Sequence, residues 1–233
     1  MNDPMTPPPR SLPPEARALS PQQLYVWWKK QGALEAQRLL KRREYRNYLL
    51  SFNNHERQHA FFKIHARLSH EEYWPLIREV WQMATVTYPH SYRWLRLFRS
   101  PRPGRERMMS PVEIARLASL PNDFPVFRGV ANIEHFAGLS WTLSRAVAVR
   151  LAQYAFDSRR AWSGFRGTVP AIVSGWCNKC DVLAYLCARE EEEIVIPAGS
   201  VRNKKAESVT LAASSDKAVQ TLAVASTIVS PWP

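Results

Sequence analysis

The chain has 233 residues, 45% of them hydrophobic and 22% charged, with 32 Lys/Arg against 20 Asp/Glu and a formal net charge of +12. That composition is ordinary for a folded globular protein of one or two domains with a real core. Three cysteines are too few for a disulfide framework and no apolar run reaches the length of a membrane span, so a disulfide-stapled or membrane-spanning chain is excluded and a cytoplasmic one expected.

Residues 1–20, with their run of prolines, cannot donate regular backbone hydrogen bonds and are expected to be disordered or extended. They lack the charged-then-apolar pattern of a signal peptide. Ser20-Pro21 then offers an N-cap followed by proline at the first helical position. A helical stripe follows through Leu24, Trp27, Trp28, Leu34, Leu39, Tyr45 and Leu49, with Gly32 as a candidate break. A second helix is expected over 55–68. A third starts at Ser69, with Glu72 placed to complete a capping box and a stripe of Trp74, Ile77, Val80 and Trp81.

The second helix carries His55-Glu56-Arg57-Gln58-His59, which is literally H-E-x-x-H, with His65 where a third zinc ligand of a metzincin falls. On a helix His55 and His59 share a face beside Glu56, which makes a zinc metalloprotease one alternative reading. Two features oppose it: Phe62 stands where metzincins need a glycine, and Arg57 puts a charge inside a helix that is normally buried. No metal is therefore expected.

Residues 87–108 read as a tryptophan-anchored basic loop. Ser110-Pro111 opens one more short helix, with Glu113 three residues after the cap, and Pro121 ends it. The texture then changes to short β-branched and aromatic runs: PVFRGV, VPAIVSGWC, DVLAYLC and EEIVIP. The expected organisation is a basic helical domain over 21–118, a small mixed β domain over 119–203, and a low-complexity tail or added strands over 204–233. Residues 1–110 hold 19 Lys/Arg against 9 Asp/Glu, so the helical half is where an acidic partner or nucleic acid is expected, if one binds. No RNA-binding signature or paired Cys/His finger accompanies that charge, and a solvated helical face is the plainer account.

Within the β half, Phe127-Arg128-Gly129 closes one apolar run. Arg128 offers a planar fork suited to phosphate, and Gly129 permits close backbone approach. Ser140 and Thr142, two apart on a strand, point one way while Trp141 points the other. Ala146, Val149 and Ala152 follow at helical spacing. Cys177-x-x-Cys180 with Cys187 makes three thiols at best, weak grounds for a metal site. The acidic run Glu190 to Glu193 leads straight into Ile194-Val195-Ile196. Strand period puts Glu191 and Glu193 on one face, and DVLAYL just before is the natural hairpin partner.

In order, F-R-G, G-L-S-W-T, A-x-x-x-R-L-A and R-x-E-x-E resemble the signature of the Arg–Ser–Glu class of ADP-ribosyltransferases, and of related proteins common in phages and prophages. The resemblance covers about residues 122–200. It implies an α+β fold whose β domain has two packed sheets with NAD in the cleft, and transfer of ADP-ribose from NAD to a macromolecular acceptor, most naturally a protein. By the same resemblance Glu193 is the catalytic glutamate, Glu191 assists the acceptor, and Arg128 and Ser140 match the arginine and serine of the signature. Gly129, Trp141 and Thr142 would join Arg128 and Ser140 in holding NAD. A transferase fold without catalysis, serving as a binding module for nucleic acid or protein, is the non-enzymatic alternative.

Overall fold

Ser20 starts the first helix as its chemistry dictates. Its hydroxyl accepts from Gln23 N and its own N–H donates to Gln23 Oε1, a full capping box ahead of Pro21. The computed structural model describes residues 13–84, 87–132, 137–160, 169–187 and 191–209. They divide into two compact units, one running through Thr87 with residues 102–105, the other made of 88–101 and everything from 106 onward. The expected boundary at residue 118 falls inside the second unit. No described helix is long and apolar enough to cross a membrane.

The first unit is helical: α1 (Pro21–Lys41), α2 (Tyr45–Leu50), α3 (Asn54–Ile64) and α4 (His70–Met83). Gly32 does not break α1. The chain turns instead at Arg43, whose φ of 61° is left-handed. The stripe expected to be core is only partly so, since Leu39, Tyr45 and Leu49 are buried but Leu34 is exposed. On α4 the expected stripe of Trp74, Ile77, Val80 and Trp81 is buried throughout, below a Ser69–Glu72 capping box. Each such side chain contributes on the order of 1.5–3 kcal/mol by leaving water.

Arg57 is a buried charged side chain on α3. It is turned inward, where Nε donates to Leu49 O at 3.0 Å and Nη2 to Phe52 O at 2.7 Å. Burial lowers its pKa, with Glu79 partly opposing. It thereby adds donors to carbonyls at and just after the end of α2. Arg102 acts likewise on the turn between α3 and α4, donating to Leu68 O and lying over the Tyr73 ring at 4.4 Å.

The second unit contains α5 (Ser91–Phe98), α6 (Pro111–Ser119) and α7 (Arg145–Arg160) with strands β1 (Asp123–Val130), β2 (Ser140–Thr142), β3 (Ala171–Asn178), β4 (Ala184–Leu186), β5 (Glu193–Val195) and β6 (Arg202–Ser208). The expected loop over 87–108 thus holds a helix, α5, which buries Trp94, Leu97 and Phe98. All described strands form one antiparallel sheet in the order β4-β5-β2-β1-β3-β6. The architecture is α+β, and the two packed sheets implied by the resemblance are not met among the described residues. The tail supplies β6, while residues 210–233 and the proline-rich 1–12 lie outside them.

Alternation sorts the two faces of the sheet. Phe124, Val126, Val130, Trp141, Val173 and Ile194 share a buried cluster, against which Leu117 and Leu120 of the α6 segment pack. On the other face α7 covers one end. Gly129 makes that possible: a Cβ there would lie 2.1 Å from Ala148 O and 2.4 Å from Ala152 N. Directly opposed residues point to the same face, so Glu193, Thr142, Phe127, Ser174 and Lys205 form one cross-strand row over five strands.

Candidate active site

β2 is only three residues long, and Trp141 at its centre holds it in place. The indole is 2% exposed in the core cluster, and Nε1 donates to Gly138 O at 3.0 Å. Its neighbours Ser140 and Thr142 therefore present to the opposite face, as the alternation predicts. Ser140 lies diagonally across from Glu193, because Thr142 is the residue directly opposite it in the register. The Ser140 hydroxyl spans that diagonal and donates to Glu193 Oε1 at 2.5 Å. An O–H donor on a carboxylate makes a strong, charge-assisted bond.

Arg128 joins the pair from β1. Its Nη1 donates to the carbonyl of Ser140 at 2.5 Å. Gly138 clears the space for it, since a Cβ there would sit 2.2 Å from Arg128 Cζ. The serine hydroxyl and the glutamate thus meet on one face, whereas Arg128, opposite Val173 in the register, lies on the Trp141 face and reaches Ser140 only through its backbone carbonyl. Arg128, Ser140 and Glu193 are all half-buried.

The remaining expected contacts have structural duties. Thr142, 2% exposed, donates to Glu191 O at 2.6 Å and accepts from Ser144 N at 3.1 Å. It ties the glutamate corner to the turn that enters α7. Trp141 is core, so its side chain is a scaffold element. The missing side chain of Gly129 faces α7, which gives this glycine a packing role.

Glu191 departs from expectation in its geometry. β5 begins at Glu193, and Glu192 has a φ of 42°, so extended backbone does not run back to Glu191. The period-two argument that places Glu191 and Glu193 on one face stops at this left-handed residue. Glu192 is instead the anchored one. Arg116 Nη2 donates to its Oε1 at 3.1 Å, Tyr185 Oη donates to the same oxygen at 3.4 Å, and its carbonyl accepts from Leu143 N at 3.2 Å. The hydrogen bond to Glu192 raises the Arg116 pKa first of all, and burial raises that of Tyr185. The hairpin partner expected before the acidic run is present, with Ala184 opposite Val195, Tyr185 opposite Ile194 and Leu186 opposite Glu193. Residues 188–190, including Glu190, lie outside the described residues.

Three residues escaped the sequence reading: Gly138, Arg116 and Glu113. Glu113 was read only as a cap, and it does accept from Ser110 N at 2.7 Å, but its other oxygen accepts from Cys187 N at 2.8 Å. The capping signal was visible; the partner 74 residues away was not.

The H-E-x-x-H residues do not make a centre. His55, Glu56 and His59 are exposed on α3, where His59 lies edge-on to Phe62 and Glu56 pairs with Lys29 at 3.9 Å. Among the described residues no three His, Cys, Asp or Glu side chains gather as a metal-holding group. Cys177 is fully buried and its thiol is pushed up to about 12, chiefly by burial, whereas Cys180 is exposed.

Compared with known proteins, the chain matches no family model, no curated protein and no solved structure.

Proposed function

We propose that this chain is a mono-ADP-ribosyltransferase of the Arg–Ser–Glu type, moving ADP-ribose from NAD to a macromolecular acceptor. The observation that carries the reading is the chain of contacts from Arg128 to the Ser140 carbonyl and from the Ser140 hydroxyl to Glu193. Ser140 and Glu193, 53 positions apart, meet as hydroxyl and carboxylate on a half-buried surface, and Arg128 fixes the Ser140 backbone from the other face of the sheet. The NAD-cleaving chemistry needs that set.

The donor set fits NAD. Arg128 supplies a guanidinium suited to a phosphate oxygen, and Glu193 a carboxylate held at one oxygen yet half-exposed. NAD, when bound, supplies a glycosidic bond whose cleavage builds positive charge on the ribose, as in other glycosyl transfer. Glu193 is the group that stabilises such charge, and a preorganised carboxylate does so without reorienting. Ser140 keeps the carboxylate in one rotamer. Arg128 keeps the Ser140 backbone in place, and Thr142 keeps the corner at Glu191 closed. In this reading Glu191, separated from Glu193 by the left-handed Glu192, assists the acceptor rather than the ribose.

The test is direct. Purified protein is incubated with NAD labelled in the adenylate moiety and with a cell lysate; release of nicotinamide and transfer of label into macromolecules are both followed. Both are expected from the wild-type chain and neither from Glu193→Gln. A folded wild-type protein that releases no nicotinamide and labels nothing overturns the reading in favour of a binding module.

A further inference from the structure

The half of the sheet face that α7 leaves uncovered has a surface unlike the rest of the unit. Phe127 is half-buried on it, and Trp176 is 47% exposed on the neighbouring strand. Phe127 lies opposite Ser174, two residues before Trp176 on β3, so the two rings are a diagonal pair, about 7–8 Å apart at their backbone positions. They border a concavity of about 620 Å³ whose far wall is the edge strand β6, with Lys204 and Lys205. β6 does not run straight past it. Ser174 pairs with Lys205 but Trp176 with Arg202, a bulge with Asn203 at a φ of 52°. Bulges on edge strands re-aim side chains and block further strand pairing. Here Lys204 Nζ folds back on Ala198 O at 2.8 Å, while Lys205 stays exposed on the aromatic row.

Charge points the same way. Arg202 pairs with Asp123, and Arg145 with Glu207 at 2.7 Å, so these flanking cations are matched by carboxylates, and exposed Lys205 adds a positive charge to the strip. A tryptophan held half-exposed costs hydrophobic free energy with no return inside the fold.

We propose that this open face, built on Phe127, Trp176 and Lys205, binds single-stranded nucleic acid. Two separated rings give unstacked bases their π-faces, and a cation beside them meets the backbone phosphate. A duplex keeps its bases stacked on one another and has nothing to offer the rings. The helical half, where basic charge is densest, also pairs an exposed ring with a cation, Lys29 over Tyr25 at 5.7 Å, and so serves as the control surface. The binding is independent of the transferase reading, since it needs no NAD.

The experiment is a fluorescence-anisotropy titration of the full chain with a short fluorescein-labelled oligothymidylate, without NAD, over a range of salt. Saturable binding is expected. Trp176→Ala should weaken it by about 5- to 150-fold, the range a lost base–aromatic stack produces. Trp176→Phe should restore most of the affinity. Lys205→Gln should lower the salt dependence by roughly one phosphate contact. Lys29→Gln with Lys30→Gln, on α1, should change little, and a duplex of equal length should bind more weakly. Unchanged affinity in Trp176→Ala, equal loss in the α1 variant, or equal binding of duplex would overturn the proposal. So would the absence of binding to any oligonucleotide, which would leave this face to a protein partner. If Trp176→Ala loses the folded circular-dichroism spectrum, Lys205→Gln still decides the matter, because an unchanged affinity and salt slope in that variant overturn the proposal.

Discussion

The carboxylate of Glu113, with no solvent exposure, accepts a hydrogen bond from the backbone N–H of Cys187 at 2.8 Å. One oxygen closes the cap of α6 and the other holds the end of β4, next to the acidic run. Together with the Arg116–Glu192 bond, α6 fastens the glutamate corner at two points. Glu113→Ala removes the acceptor of two part-buried N–H groups, those of Ser110 and Cys187. Each such loss costs about 1–3 kcal/mol, so a clear drop in Tm is expected. Glu113→Gln keeps an acceptor oxygen and should lose less. A Tm for Glu113→Ala within a degree of wild type would show that the tether does not matter.

Removing the negative charge at Glu193 while keeping its shape should abolish nicotinamide release. Comparable electrostatic contributions are worth about 2.7–4 kcal/mol, a factor of roughly 10² to 10³. Ser140→Ala leaves the carboxylate in place but unheld, and a loss of about tenfold is expected, equal to one net hydrogen bond of about 1.4 kcal/mol. Circular dichroism should be unchanged in both. Wild-type turnover in Glu193→Gln would reassign the catalytic carboxylate.

Glu191 and Glu193 are separated by the left-handed Glu192, which argues for different duties. Glu191→Gln is expected to slow transfer to a macromolecule while sparing hydrolysis of NAD by water. The quantity to measure is the ratio of the two rates. An equal fall in both would mean that the two carboxylates act as one coupled unit.

Gly129→Ala tests the seat of α7. The added methyl meets helix backbone, at 2.1 Å from Ala148 O, and backbone cannot rotate away. Overpacking of this kind costs typically about 1–3 kcal/mol. A thermal melt indistinguishable from wild type would mean that α7 shifts freely over the sheet.

Thiol chemistry should follow burial. With a disulfide-exchange reagent at neutral pH, Cys180 is expected to react quickly and Cys177 only on unfolding. The folded Cys177 pKa, about 12, lies above its ordinary value of 9.0. The folded state therefore binds that proton more tightly, and its stabilising contribution is complete below pH 9.0 and declines as the pH rises from there toward about 12. Rapid modification of Cys177 in the native protein would contradict its place in the core.

Much of the local chemistry was legible, though Gly32 did not break α1 and the expected loop over 87–108 holds α5. The capping boxes at Ser20, Ser69 and Ser110, the stripe of α4, the alternation around Trp141 and the β4–β5 hairpin depend on residues within a few positions of one another, and the sequence states such relations directly. It also placed Arg128, Ser140 and Glu193 as candidates. What brought the Ser140 hydroxyl to Glu193, and Arg128 to the Ser140 backbone, is the strand order β5-β2-β1, a set of long-range pairings that no local period encodes. The same holds for Gly129, whose backbone freedom suited a ligand as well as a helix until α7 was seen against it. Glu191 failed differently, because a single left-handed residue cancels strand periodicity and glutamate gives no warning of it. Arg57 and Glu113 show why the remainder had to wait for the tertiary structure. A charged side chain reads as solvent-facing in sequence, and becomes a buried tie only when distant backbone groups arrive to satisfy it.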